Sequence, residues 1–437
     1  MEEKEEKSLL PQMLIPVVLG VLAGLAILVS VCVLLPKRYA RRFALVSWVR
    51  NSLTAMVPEK EVPEEELIRY FRPIPEEELM AAQEPAPAEA VLEEQEALPE
   101  ESGPLVIDGI EVIDIPVTED RVTFTFAGDL LLDSYYAAGA TIAAVGLANS
   151  FDEQALQIMR GSDIFVINNE FTYTNAQTPQ PNKTFTFHAN PAMASQLFDI
   201  GVDLAELANN HTFDYQETGL LDTLATLEGI GMPYVGAGRN IEEARRPVYY
   251  RANGMIIAVL NATQIERYDN PDTRGATETL PGVMRCFDGS LLYQTVREVS
   301  EKADYVIVSV HWGTEKENYF EYSQSSQAQE LKNAGADLVI GGHPHVLQGF
   351  DYIEGMPVVY SLGNYLFTSY TTDTGVARIT LIPSEKRMES LQFIPMLQEN
   401  CRVRTLQGVE KDRVLANLRA YSPQGVVIDA DGFVTKP

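Results

Sequence analysis

The sequence predicts an α/β domain carried behind a transmembrane helix and an acidic tether. Three observations support this: strand-like apolar runs alternate with helical runs from Arg121 onward, an uncharged apolar stretch fills residues 13–35, and a glutamate-rich stretch lies between them. At 437 residues and 46% hydrophobic content the chain is long enough to bury a substantial core. Its 33 basic against 62 acidic residues give a formal charge of -29. That balance excludes nucleic acid as a partner, because a backbone binder needs a positive face. An anionic partner has to be held by metal or by a local basic patch. The cysteines, Cys32, Cys286 and Cys401, have no metal-ligand spacing and allow one disulfide at most.

Residues 1–12 form an acidic tail. Residues 13–35, "MLIPVVLGVLAGLAILVSVCVLL", carry no charge and, at about 1.5 Å per helical residue, reach across a bilayer core of about 30 Å. The run is longer than a signal-peptide core, and no small-residue cleavage pattern follows in "LLPKRYARRF". The expectation is a retained transmembrane helix. Lys37, Arg38, Arg41 and Arg42 follow it while Lys4 and Lys7 precede it, a bias that by itself favours a cytoplasmic domain.

Residues 36–117 read as a basic flank followed by an acidic Pro/Glu-rich linker. Between Glu59 and Glu101 the chain has 15 glutamates against Lys60, Arg69 and Arg72. Such a stretch buries too little apolar surface to fold alone, so a disordered, extended, self-repelling tether is expected.

The main domain is expected over 118–400, with 401–437 as a C-terminal extension packing on it. Its strand-like runs share one habit. "RVTFTFAGD" alternates Val122, Phe124 and Phe126, then stops at Gly128-Asp129. "GSDIFVINNE" stops at Asn168-Asn169-Glu170, and "GVDLAELANNHTFD" ends at Asn209-Asn210-His211. "KADYVIVSVHWGTE" ends at His311-Trp312, and "NAGADLVIGGHPH" at His343-Pro344-His345. Each apolar run delivers a polar cluster at its carboxyl end.

Buried strands of an α/β layer are rigid, and the loops after them converge on one edge, where polar side chains meet without disturbing the core. Asp, Glu, Asn and neutral His are the ligand types that suit divalent metals. One histidine after a strand is commonly a hydrogen-bonded packing residue. Four of the chain's five at strand ends predict a site for one or two divalent ions.

The motifs "FAGDLLLD", "NNEFTYT", "ELANNHTFDYQETGLLDTL", "PYVGAG", "VSVHWGTE", "GGHPHVLQG" and "VVYSLGNYLF", in this order over residues 121 to about 370, resemble the bacterial CapA-type poly-γ-glutamate (capsule) synthesis protein family. The resemblance implies a calcineurin-like metallophosphoesterase fold, a four-layer αββα sandwich with metal ions at strand ends. Carried over position by position, it implies Asp129, Glu170, Asn210, His311, His343 and His345 as ligands, with Glu170 bridging two ions of Mn, Zn or Fe. His211 is then the acid beside Asn210. Pro344 limits the backbone freedom lost when two imidazoles turn into one cavity.

Leu131 stands where the wider phosphoesterase pattern commonly has a third early ligand. Asn168 and Glu315 could compensate, and Asp214 could orient His211, or each serves as a turn or capping residue. His188 and Lys183 fall on the substrate side of the family pattern, where they would meet a substrate carboxylate; His188 alternatively caps the helix near Pro191. Asn364, in "SLGNYLF", belongs to a tight loop closing the floor.

Bound metal would polarise an anionic oxygen and activate water near neutral pH, with His211 protonating the leaving group. The resemblance implies a membrane-anchored protein of poly-γ-glutamate capsule biosynthesis or export with a hydrolase-like domain acting on a phosphoester or γ-glutamyl bond. It places that domain outside the cell, and long domains translocate largely regardless of flanking charge. The implied partners are the cell membrane, an anionic polymer such as poly-γ-glutamate, and membrane synthase subunits. Two alternatives stand beside it: a non-catalytic accessory that binds polymer or synthase, and a phosphoesterase of another substrate.

Overall fold

A computed structural model describes residues 104–117, 119–265 and 273–436. In chain order the main elements begin with β1 (Ile113–Asp114), β2 (Val122–Leu130), α1 (Ala137–Val145), α2 (Glu153–Arg160), β3 (Ile164–Asn169), β4 (Leu204–Glu206), α3 (Gln216–Ile230) and β5 (Tyr234–Val235). They continue with β6 (Val248–Ala252), β7 (Met255–Thr263), α4 (Ser290–Ser300), β8 (Tyr305–His311), α5 (Tyr322–Ala334), β9 (Leu338–Gly342), β10 (Phe350–Ile353), β11 (Met356–Val359) and β12 (Asn364–Leu366). The chain closes with β13 (Thr372–Ile382), β14 (Arg387–Glu399), β15 (Arg402–Thr405), α6 (Gly408–Tyr421), β16 (Val427–Ile428) and β17 (Phe433–Thr435).

Two sheets result. One has the order β10-β11-β9-β8-β7-β6-β1; the other runs β16-β17-β14-β13-β2-β3-β4-β5, with β12 beside β2 and β15 beside β14. The period-2 alternation of strand side chains decides which residues each sheet turns inward. Phe124, Phe126, Ile164 and Val166 share a buried core with Ile257, Val259, Ile307 and Ile340 of the opposite sheet. The alternate residues Phe165 and Ile167 face outward and pack with Ile142, Met159, Leu220 and Leu224 of α1, α2 and α3. On the far side Val306, Val308 and Val310 meet Leu292, Val296 and Leu331 of α4 and α5. Helix, sheet, sheet and helix are therefore stacked as four layers, each sheet apolar on both faces.

Local signals set the helix ends. The Asp152 side chain accepts from Ala155 N at 2.7 Å to start α2, a Glu321/Gln324 capping box starts α5, and left-handed Gly231 (φ 73) and Gly335 (φ 107) end α3 and α5.

Two segments flanking the stretch 118–400 join the sheets. Ile113 of the stretch assigned to the linker pairs with Tyr250 in the first sheet, with Val112 and Ile115 buried on either side of the pair. Residues after Cys401 are integral to the second sheet through β15 and β17, and α6 sends Val414, Leu415 and Leu418 into the core between the sheets. Cys286 and Cys401 are both buried, and neither is in a disulfide among the described residues.

The expected transmembrane helix over 13–35 and the acidic linker before Pro104 lie outside the described residues. The single-pass, extracellular membrane localisation is corrected. Among the described residues no helix is long and apolar enough to cross a membrane; the longest, α3, has 15 residues, short of the ~20 that a span requires.

Candidate metal centre

Strand register assembles the site. Asn364 of β12 stands opposite Asp129 of β2, Asp129 opposite Asn168 of β3, and Asn168 opposite Glu206 of β4. In the facing sheet His311 of β8 stands opposite Gly342 of β9, which sets His343 and His345 in the loop that follows. Both histidines hold positive φ, 96° and 59°, a conformation that costs a non-glycine residue free energy and that clusters at functional sites. Gly128 permits the closest approach: a Cβ there would lie 1.8 Å from the Gly363 carbonyl oxygen.

All six residues expected as ligands come together. Asn168 is the hub, donating from Nδ2 to Asp129 Oδ1 at 2.8 Å and to Glu170 Oε2 at 3.2 Å. His311 Nε2 lies 2.8 Å from Asn210 Oδ1 and 3.2 Å from His343 Nδ1. His345 Nδ1 lies 3.1 Å from Asp129 Oδ2 and 2.8 Å from Asn364 Oδ1. Two sets of ligand atoms, Glu170/His311/His343 and Asp129/Glu170/His345, each fall within 4.8 Å of one another. Glu170 belongs to both.

A divalent ion fits this donor set. Glu170 Oε1 is buried without a hydrogen-bond partner and faces His311 Nε2 at 3.6 Å and His211 Nε2 at 3.9 Å. Lone pairs thus converge on one spot with too few protons to share, an arrangement that a cation resolves. The electrostatics agree. Burial, reinforced by Asp129, drives the Glu170 carboxyl well above its usual range. Burial likewise holds His211 and His311 well below theirs, which keeps the imidazoles in the neutral form that binds metal. His345 ends up raised: burial pushes it down, but the Asp129 carboxylate outweighs that.

His211 is fixed from behind. Its Nδ1 lies 2.7 Å from Asp214 Oδ2, its backbone N donates to Asn209 Oδ1 at 2.9 Å, and its ring lies on Phe187 with centroids 4.2 Å apart. Asp214, pushed up to about 7 by burial against the pull of Lys183, receives the Lys183 ammonium at 2.5 Å. Lys183 is therefore turned inward, its side chain 5% exposed, and a substrate carboxylate would have to displace Asp214 to reach it. His188 sits outside the cluster, half-buried, its ring on Tyr215 and its Nδ1 3.9 Å from Asp133. Glu315 is exposed, close enough for its charge to help raise His345.

The sequence reading gave no role to three side chains. Asn209 Nδ2 donates to Asn168 Oδ1 at 2.9 Å and so holds the hub in place. Asp133 accepts from the His188 backbone N at 3.1 Å. Glu206, beneath the ligands beside Ser309, is pushed up to about 8 by burial and leaves Oε1 without a partner. A lone glutamate inside the apolar run "DLAELA" was the available signal for it.

The fold and site define a layered α/β protein with a buried carboxylate–imidazole centre suited to divalent metal. The chain belongs to the bacterial capsule synthesis protein PGA_cap family, whose model matches residues 123–369. It is 30% identical over 259 residues to the PGA biosynthesis protein CapA of Bacillus subtilis (strain 168), covering 59% of this chain and 66% of that protein. It is 26% identical over 327 residues to the capsule biosynthesis protein CapA of Bacillus anthracis, covering 70% and 75%. Among solved structures, a phosphatase of Mycoplasma pneumoniae aligns over 64% of this chain and 95% of its own at 13% identity, with a TM-score of 0.42.

Proposed function

We propose that this protein is a metal-dependent hydrolase acting in poly-γ-glutamate capsule biosynthesis, with the anionic polymer or a phosphorylated precursor as substrate. The observation that carries the proposal is the sharing of Glu170 between two ligand sets, with His211 Nε2 facing the Oε1 of that carboxylate at 3.9 Å. Asp129, Asn210, His311, His343 and His345 would complete the two sets, and bound divalent ions would polarise a substrate oxygen and lower the pKa of water toward neutrality.

The chain's own groups do the rest. With Nδ1 held on Asp214, His211 Nε2 is the atom that gives or takes a proton at the reacting oxygen. Asn168 and Asn209 hold the carboxylates in register, and Asn364 orients His345. The name of the Bacillus subtilis relative, a PGA biosynthesis protein, is what directs this reading toward that polymer. A second reading, an accessory that binds polymer without cleaving it, draws on Leu131, which offers no ligand where the wider pattern has one.

The test uses the purified full chain supplied with manganese or zinc. Metal content is measured together with release of nitrophenol from bis(p-nitrophenyl) phosphate and shortening of poly-γ-glutamate. Bound metal with either activity supports the hydrolase. Bound metal with polymer binding and no cleavage supports the accessory, and absence of both metal and cleavage overturns the proposal.

A further inference from the structure

We infer that Lys183 is a positioning residue of the catalytic centre, holding His211 through Asp214 and the ligand Asn210 through its main chain; this rests on the hydrolase reading above. Two contacts of the Lys183 Nζ carry the inference. It pairs with Asp214 Oδ1 at 2.5 Å and donates to the carbonyl oxygen of Asn210. The two groups it joins carry different parts of the site: Asp214 Oδ2 faces His211 Nδ1 at 2.7 Å, and Asn210 Oδ1 faces His311 Nε2 at 2.8 Å.

The lysine arrives on a strap. Between the short paired strands Thr172–Tyr173 and His188–Ala189 the chain loops over His211 and meets Asp214 at three points. Gln180 N donates to the Asp214 carbonyl at 2.7 Å, Lys183 takes Oδ1, and Phe187 N donates to Oδ2 at 2.6 Å. The strap's Phe187 also covers the His211 ring. Asp214 has no exposed surface, so without the ammonium its charge would lie buried with two hydrogen-bond donors and no cation. The carboxylate would then be free to rotate or to take up a proton, and His211 would lose the acceptor that fixes its ring. A buried point charge reaching two oxygens on adjacent turns does what a neutral side chain at this position would not.

The test compares wild type, Lys183→Met and Lys183→Arg as full chains loaded with zinc, a diamagnetic ion that leaves the histidine signals readable. Three quantities are read: metal content, the exchange-protected Nδ1 proton of His211 by nitrogen-15 histidine NMR, and kcat and KM on bis(p-nitrophenyl) phosphate. Lys183→Met should retain metal, lose the protected His211 proton, and lower kcat about 10-fold to 100-fold with little change in KM, the usual scale for a lost orienting partner. Lys183→Arg should recover most of the proton signal and of kcat. A Lys183→Met protein with an unchanged His211 signal overturns the inference, as does a rise in KM at constant kcat, which would mark a substrate contact. If Lys183→Met does not fold, Lys183→Gln carries the same comparison. If wild type cleaves no probe, the hydrolase reading fails by itself while the NMR comparison still decides the role of Lys183.

Discussion

Glu170 concentrates the chemistry of this protein in one side chain. Because it serves both ligand sets, Glu170→Gln should abolish retention of both ions, whereas His343→Ala and His345→Ala should each leave one ion on the remaining set. Elemental analysis of the three purified variants checks this, and equal loss in all three would mean a single mixed site. Away from the centre, Asp203 accepts from Phe165 N at 2.8 Å, and burial pushes its carboxyl up to about 6. A carboxyl raised in the folded state favours folding most below its unfolded pKa, and that contribution is lost as pH rises through about 6. Asp203→Asn should therefore match wild type near pH 4 and exceed it at pH 8 by about 1–2 kcal/mol, allowing for its partial exposure. Urea unfolding at the two pH values measures the difference.

At the scale of elements, the site depends on how closely β2 and the turn before β12 approach. Asp129 N donates to the Gly363 carbonyl at 2.9 Å, and the Gly128 backbone lies against that same oxygen. Gly128→Ala should cost about 3 kcal/mol and shift Asp129, so that melting temperature and metal retention fall together. Gly229 offers the contrast. It lies in α3 with nothing within 4 Å of an added Cβ, and Gly229→Ala should raise stability by about 0.5–1 kcal/mol. Thermal unfolding of both variants separates a steric limit from a helix-propensity gain.

For the molecule as a whole, the two-sheet core is completed by the last elements of the chain. Val414, Leu415 and Leu418 of α6 enter it, and Arg413 pairs with Asp373 of β13 through two 2.6 Å contacts. Each of those apolar side chains contributes roughly 1.5–3 kcal/mol on burial, a large share of a domain stability of about 5–15 kcal/mol. Truncation after Glu399 should yield a protein without a cooperative thermal transition, and a cooperative melt of that product would show the C-terminal segment to be dispensable.

The sequence by itself determined the α/β class and the edge on which chemistry gathers. Alternation in Val122, Phe124 and Phe126, the double-sided apolar runs before His311 and His343, and the polar residue closing each run are local patterns, and period and side-chain chemistry alone read them. What lay beyond it depended on which distant segments become neighbours. Nothing local to Lys183 says that its ammonium meets Asp214, 31 positions later. Nor does anything near Glu206 say that its carboxyl ends beneath Asp129 and beside Ser309. The tertiary structure decided these matters because strand order and register are set by the burial of whole sheet faces. That free energy is summed over the core, and no short stretch of sequence contains it.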